Sequence, residues 1–140
     1  MIAIQKEDVD VGKLIDAAKQ LGTGAFVIFD GIVRDDDILE MELEAYHDVA
    51  LKELKRIAEE AKKIHNLLSV DIIHRIGRLA VGENILIIIV GAGHRQEAFA
   101  GCRFIIEAIK NGVPIWKKEL RKDGSRWVPG EHQHGAGKPQ

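Results

Sequence analysis

The amino-acid sequence predicts an α+β fold with a mainly antiparallel sheet, three helices and a C-terminal hairpin. Three stretches carry apolar residues at helical spacing, and seven shorter ones are apolar or β-branched runs typical of strands. Short turns join most neighbouring strands, and such neighbours pair antiparallel. The expected order of elements is β, α, β, β, α, β, β, α, β, β.

The first half of the chain is expected to hold one helix and two well-marked strands. The helix follows Asp10, a residue type that caps helix N-termini, and its apolar stripe runs to Leu21 before Gly22 ends it. Residues 24–34, GAFVIFDGIVR, predict a strand with a bulge at Gly31. Residues 39–46, LEMELEAY, alternate between two sets of side chains, which predicts a half-exposed strand.

The second half is expected to hold two helices, two strands and a C-terminal hairpin. A long helix is expected over residues 48–65, followed by strands at 69–77 and 84–91 that a turn at 80–84 joins. The third helix runs from Arg95 to Lys110. Residues 114–120 and 126–128 flank the turn RKDGS and predict a hairpin, for which Trp116 and Trp127 are the simplest core anchors.

Length and composition fit one domain over residues 1–128, followed by a tail at 129–140 that is rich in Pro, Gly and His and is expected to be mobile. The longest apolar run, residues 85–90, is too short to cross a bilayer, and the acidic N-terminus does not fit a secretory signal. We therefore expect no membrane association and a cytoplasmic location. The single Cys102 cannot form an internal disulfide and fits a small core residue.

Positive charge is concentrated in one stretch of the chain. The net charge is −2, yet residues 110–127 hold six basic and two acidic side chains and carry +4, so the remainder carries −6. This balance argues against a general nucleic-acid binder, although a binder built on the basic hairpin is one alternative.

The segment VGAGHRQEAF, residues 90–99, is the strongest local signal for a ligand site. A buried strand leads through glycines into a helix that His94 and Arg95 open. Free N–H groups and the positive end of the helix dipole favour an anion there, and the two side chains add donors and charge. Glycine before a helix is common, however, so the spacing alone supports an anion site and a solvated helix start equally.

Three further cations are candidates for chemistry. Lys117 follows Trp116 in the predicted hairpin strand, and the NGVP turn folds that strand back toward Lys110 at the helix end. Two ammonium groups brought close together lose proton affinity and can serve as an acid, a base or a nucleophile. The alternatives are a solvated basic hairpin for Lys117 and a simple dipole partner for Lys110. Arg34, beside three aspartates, is either a surface ion-pair partner or a phosphate clamp.

No metal site is expected from the histidine pattern. His132 and His134 form HQH in the tail, but no HExxH motif or Cys/His spacing accompanies them.

Five segments in this order, FDGIVR, LEAY, HRIGRLAVGE, GAGHRQEAF and VPIWKKE…DGSRWV, closely resemble the large catalytic subunit of molybdopterin synthase from about Gly24 to Val128. The resemblance implies a sulfurtransferase of molybdenum cofactor biosynthesis that converts cyclic pyranopterin monophosphate into the dithiolene molybdopterin, with no resident cofactor. It also implies a small ubiquitin-like partner whose Gly-Gly C-terminus carries the sulfur as a thiocarboxylate, and a heterotetramer built on a homodimer of large subunits. For the large subunit it implies a fold similar to an α/β hammerhead.

The resemblance also assigns residues. It implies that Lys110 is the essential catalytic lysine, that Lys117 is a second important one, and that Arg34, His94 and Arg95 bind the phosphate and the pterin in the same pocket. The loop after Arg34, DDDILE, departs from the family pattern, which leaves open how it covers the pocket. The alternative function is a non-catalytic module that binds a phosphometabolite in the same cationic pocket.

Overall fold

The computed structural model describes residues 1–128 and has three helices and two four-stranded sheets, which confirms the predicted α+β class. The elements are β1 (Ile2–Gln5), α1 (Val11–Ala18), β2 (Ala25–Ile32), β3 (Glu40–Ala45), α2 (His47–His65), β4 (Leu67–Arg75), β5 (Gly77–Ala80), β6 (Asn84–Ala92), α3 (Arg95–Gly112), β7 (Ile115–Arg121) and β8 (Gly124–Trp127). The tail predicted at 129–140 lies outside the described residues.

The central sheet has the strand order β1-β4-β6-β2 and is antiparallel except for the β1–β4 pair. The helices α2 and α3 pack together and cover one of its faces. Their apolar stripes, represented by Leu54 and Ile105, join Ile72 and Ile88 of the sheet in one buried cluster. The strand β2 is left at the edge of this sheet beside α3.

The second sheet has the order β5-β3-β7-β8 and is wholly antiparallel. On its β7 strand, Trp116 is fully buried and its ring meets that of Tyr46 edge to face at 4.8 Å. The ammonium of Lys118 lies 5.2 Å from the centre of the Trp127 ring in the adjacent strand. Trp116 is therefore a buried anchor of the hairpin, as predicted, whereas Trp127 is only partly buried and lies against Lys118.

Several local predictions are confirmed. The side chain of Asp10 accepts a hydrogen bond from the Lys13 amide at 3.2 Å and caps α1. The β2–β6 register shifts between Gly31 and Ile32, where the bulge was expected. In β3, Met41 and Leu43 are buried while the glutamates between them are partly exposed.

Two local predictions were wrong. The first helix ends at Ala18, and Leu21 is fully exposed rather than part of an apolar stripe. The strand expected at 69–77 ends at Arg75, and the next residues form β5 in the second sheet. Gly77 has φ +89, a conformation that glycine adopts without strain, and it redirects the chain so that Leu79 is buried opposite Met41.

None of the helices within residues 1–128 combines the length and apolar composition that a bilayer crossing requires.

Gly24 allows the chain to pass tightly beside the segment that opens α3. Its amide donates to the Ala92 carbonyl at 2.9 Å, and a Cβ at Gly24 would collide with the Gly93 carbonyl oxygen. We expect Gly24→Ala to lower the free energy of unfolding by about 1–3 kcal/mol, because backbone atoms must move to relieve the overlap. Urea unfolding followed by tryptophan fluorescence measures this change.

Gly112→Ala is the matched control, since it adds the same methyl group at the end of α3 with no neighbour within 4 Å. It should leave stability unchanged or slightly higher. Equal unfolding midpoints for the two variants would contradict the close approach at Gly24.

Candidate active site

The N-terminus of α3 presents the first group of predicted site residues. His94 is the extended N-cap residue, and its side chain makes no capping hydrogen bond. His94 and Arg95 are both exposed, so both side chains are accessible beside the first free N–H groups of the helix. This arrangement has the donors and the positive dipole end that an anion requires.

The second group lies at the other end of α3. Lys110 stands in the last turn of the helix, Lys117 in β7, and Arg34 just after β2. Burial, followed by the positive charges of Lys110 and Arg34, lowers the pKa of Lys117 from the ordinary lysine value of 10.5. The structure therefore brings Arg34 close to two lysines from a distant part of the sequence.

The second sheet determines how Lys117 is oriented. Lys117 lies opposite Leu43 in the β3–β7 pair, whereas Trp116 lies opposite Glu44 on the other face. Because Leu43 is 1% exposed, Lys117 shares a face with the core and is only partly accessible. The predicted alternation of Trp116 and Lys117 is thus present, and it explains why burial is the largest cause of the lowered pKa.

Arg34 contacts an acidic side chain of its own loop. Its Nε lies 3.3 Å from Oδ2 of Asp36, and its side chain is 84% exposed. The surface ion pair considered from the sequence is therefore present. The guanidinium nevertheless remains exposed to solvent and can bind another anion.

The rest of the basic stretch is largely paired. Arg121 and Arg126 both contact Oε1 of the buried Glu119, at 2.8 and 3.0 Å, and Lys118 lies 3.9 Å from Glu42. These contacts neutralise much of the local excess of positive charge. They leave no continuous basic surface on the hairpin of the kind that a nucleic-acid binder uses.

Within one chain the five predicted residues do not form one pocket. Arg95 and Lys110 are fifteen positions apart in a continuous helix, which places their backbones about 22 Å apart at 1.5 Å per residue. His94 and Arg95 therefore form one half of the predicted site, and Arg34, Lys110 and Lys117 form the other half. The single pocket expected from the resemblance is absent from the isolated chain.

A groove that the sequence analysis missed runs between these two halves. It has a volume of about 360 Å³ and lies between the edge strand β2 and one flank of α3; its lining includes Val27, Ile28, Phe99, Cys102, Ile106 and Lys110. Phe99 is 64% exposed and Ile28 is 42% exposed. Phe99 lies outside the core-facing stripe of its helix. A large apolar residue at such a position was the sequence feature that could have indicated this exposed groove.

Among residues 1–128, no group of three or more His, Cys, Asp or Glu side chains is placed to hold a metal ion. His132 and His134 lie beyond this range.

Comparison with known proteins agrees with this architecture. The profile of the family described as MoaE protein matches residues 4–112. The molybdopterin synthase catalytic subunit of Pyrococcus abyssi is 39% identical over 129 residues, which cover 89% of this chain and 87% of that protein. The crystal structure of molybdopterin synthase from Staphylococcus aureus superposes with a TM-score of 0.85 at 34% identity, covering 90% of this chain and 95% of that one.

A Helicobacter pylori structure, a complex of subunits 1 and 2 of molybdopterin-converting factor, shares the fold with a TM-score of 0.77 at 23% identity over 91% of this chain and 90% of that chain. The extent of the family match and the identity to the first two relatives establish the relationship. The chain belongs to the MoaE protein family of molybdopterin synthase catalytic subunits, enzymes of molybdenum cofactor biosynthesis.

Proposed function

We propose that this chain transfers sulfur from the C-terminal thiocarboxylate of a small ubiquitin-like carrier to cyclic pyranopterin monophosphate, making the dithiolene of molybdopterin. The observation that carries the proposal is the cluster of Arg34, Lys110 and Lys117, in which one lysine is partly buried and has a lowered pKa. Both reactants are anions, and a cluster of cations lowers the energy of bringing them together.

In this proposal Lys110 has the central acid, base or covalent role, and Lys117 assists it. The thiocarboxylate sulfur attacks a carbon of the precursor and forms a thioester to the carrier, while the cyclic phosphate opens. A lysine ammonium donates the proton that the departing phosphate oxygen needs. Water then cleaves the thioester, which releases the carrier as a carboxylate and leaves the sulfur on the precursor. A second carrier forms the second carbon–sulfur bond at the neighbouring carbon, and the oxygen on that carbon leaves as water.

The lowered pKa gives Lys117 a specific part in this chemistry. A larger fraction of its amine is neutral at a given pH than for an ordinary lysine, so it can accept a proton from the attacking water. When an anionic substrate binds beside it, the cationic form is favoured again. Lys117 can therefore change protonation state during one turnover.

The phosphate and the pterin are assigned to Arg34, His94 and Arg95. A guanidinium binds phosphate with two parallel hydrogen bonds, and Arg34 is exposed enough to do so. His94 and Arg95 offer donors at a helix N-terminus, where a phosphate is also favoured.

A homodimer would join the two halves of the site. The groove between β2 and α3 is apolar and lies between the halves, so a second copy bound there would bury Phe99 and Ile28. A two-fold axis near the middle of α3 would set the two helices antiparallel, because a symmetric contact uses the same surface of both copies. Arg95 of each copy would then approach Lys110 of the other.

The carrier is proposed to bind at the outer ends of this dimer, giving a heterotetramer. Its Gly-Gly tail is thin and flexible, and its terminal thiocarboxylate is negative, so the tail can reach a partly buried lysine such as Lys117. The Helicobacter pylori protein that shares this fold is found in a complex of subunits 1 and 2 of molybdopterin-converting factor.

Replacement of the two lysines should stop sulfur transfer. In a single-turnover assay with thiocarboxylated carrier and cyclic precursor, we expect Lys110→Ala to lose about 100-fold or more in rate, because a proton-transfer group is removed. Lys117→Ala should also slow the reaction.

Lys118→Ala is the matched control, since Lys118 is adjacent in sequence but pairs with Glu42 and Trp127 on the opposite face. It should react at close to the wild-type rate. A wild-type chain that binds the precursor but takes up no sulfur would support the alternative, a non-catalytic binding module.

The pH dependence of the reaction should report the lowered pKa of Lys117. If its neutral amine is the base, kcat/KM, which reports the pKa of the free enzyme, rises with pH through a value below 10.5 and then levels off. Arg34→Gln removes one of the positive charges that lower this pKa, so the rise should move to higher pH. The measurement is kcat/KM for the precursor against pH, and an unmoved profile would show that Lys117 is not the titrating group.

The shared site can be tested by complementation between inactive variants. Arg95→Ala and Lys110→Ala, produced together in equal amounts, should recover about a quarter of wild-type activity, because half of random dimers are mixed and each mixed dimer keeps one intact site out of two. Co-production of Lys110→Ala with Lys117→Ala is the control and should recover none, since both changes affect the same half of the site. Equal recovery of activity by the two pairs of variants would contradict a site shared between copies.

A further inference from the structure

Asp35, Asp36 and Asp37 form an exposed acidic strap between the two sheets. At its start, the Val33 amide donates to the Glu83 carbonyl at 3.0 Å, and the Val33 carbonyl accepts from the Gly82 amide at 2.9 Å. At its end, Ile38 is buried and the Leu39 amide donates to the Leu120 carbonyl at 2.8 Å. Both ends are therefore held by backbone hydrogen bonds, and Arg34 and the three acidic residues lie between them.

The three carboxylates of the strap do not have the same surroundings. Asp36 contacts Arg34 through one oxygen at 3.3 Å. Asp37 adopts a left-handed conformation with φ +61, and its charge acts on Arg121 instead. Asp35 forms no ion pair with any residue from 1 to 128. Asp36 is thus the member of the strap that occupies the candidate phosphate arginine.

The contact between Asp36 and Arg34 is suited to exchange. The N–O distance is 3.3 Å and the two side chains are 84% and 53% exposed, so the contact is weak and open to competing anions. A tethered carboxylate nevertheless stays at high local concentration, and any external anion that uses the same guanidinium edge must displace it. A ligand that also reaches Lys110 or Lys117 gains contacts that Asp36 does not compete for.

We propose that Asp36 is an internal competitor for the Arg34 anion site. Its carboxylate binds Arg34 in the free protein and must leave when the phosphate of a substrate arrives. It therefore lowers the affinity for every anion that binds Arg34, and simple anions that touch only this arginine are excluded first. This inference rests on the proposed role of Arg34 in phosphate binding.

The test uses inorganic phosphate and acetate as probes with the full chain. Binding is followed through the NMR signal of the Arg34 Nε–H group at constant ionic strength, at about pH 8, where phosphate carries nearly two negative charges. Asp36→Asn should increase the affinity for both anions by the same factor, about two- to sixfold, because a mutually exclusive competitor of this strength is removed. Asp35→Asn is the matched control, since it removes the same charge from the neighbouring position.

Three results would overturn the proposal. If Asp36→Asn favours phosphate much more than acetate, Asp36 acts only by repulsion through space, which grows with the charge of the ligand. If Asp35→Asn has the same effect as Asp36→Asn, the contact with Arg34 has no special role. If neither anion perturbs the Arg34 signal in the wild type or in Asp36→Asn, there is no site to compete for.

Sulfur-transfer assays on the same variants separate this inference from the proposed function. If Arg34→Gln impairs use of the precursor while Asp36→Asn leaves anion affinity unchanged, the internal competitor is rejected and the synthase reaction stands. If anion affinity rises in Asp36→Asn as expected but the wild-type chain transfers no sulfur, the role of Asp36 as internal competitor is supported and the proposed sulfur-transfer reaction is rejected.

Discussion

The docking of α3 on the central sheet is the constraint on which the candidate site depends. Two glycines permit it: Gly24 passes beside Gly93 where the helix begins, and Gly101 lies against the side chain of Leu67, which would have to move to admit a Cβ. Because the helix is continuous from Arg95 to Gly112, its position on the sheet fixes where His94, Arg95 and Lys110 lie. A shift of the helix would move His94 and Lys110 together.

The cation cluster is a place where the fold accepts unfavourable electrostatics. Lys117 is held on a core-facing strand position beside two other positive charges, and its lowered pKa is the consequence. In the range between that lowered pKa and 10.5 the unfolded chain binds more protons than the folded one, so stability rises with pH there. Below that range, in the absence of an anion, the cluster opposes folding. An anionic ligand reverses that opposition, so the same charges that oppose folding favour binding.

Much of the fold could be predicted from the sequence because local signals were strong. The apolar run at residues 84–91, the amphipathic helices and the alternation in β3 each have one plausible structure. The strand β5 could not be predicted, because four residues with one buried apolar side chain, Leu79, carry no periodicity. Its existence depends on pairing with β3, a contact between distant parts of the chain.

The candidate site was harder to predict than the fold, for a related reason. The proximity of Arg34 to Lys117 arises from the meeting of the two sheets, which no local pattern encodes. The separation of Arg95 from Lys110, by contrast, follows directly from the rise of an α-helix. A pocket that contains all five residues is therefore incompatible with a single chain, and the proposed homodimer is the arrangement that would reconcile the two.

The edge strand β2 links this requirement to the groove. An exposed edge beside a partly exposed apolar flank of α3 is a surface that soluble proteins usually cover. If a second copy covers it, assembly and completion of the site become the same event, since the groove lies between the two half-sites. The single chain would then bind anions weakly at each end of α3, with Asp36 holding Arg34, and only the assembled enzyme would offer enough cations to displace that carboxylate. Such an arrangement confines the chemistry of a reactive thiocarboxylate to the complete assembly.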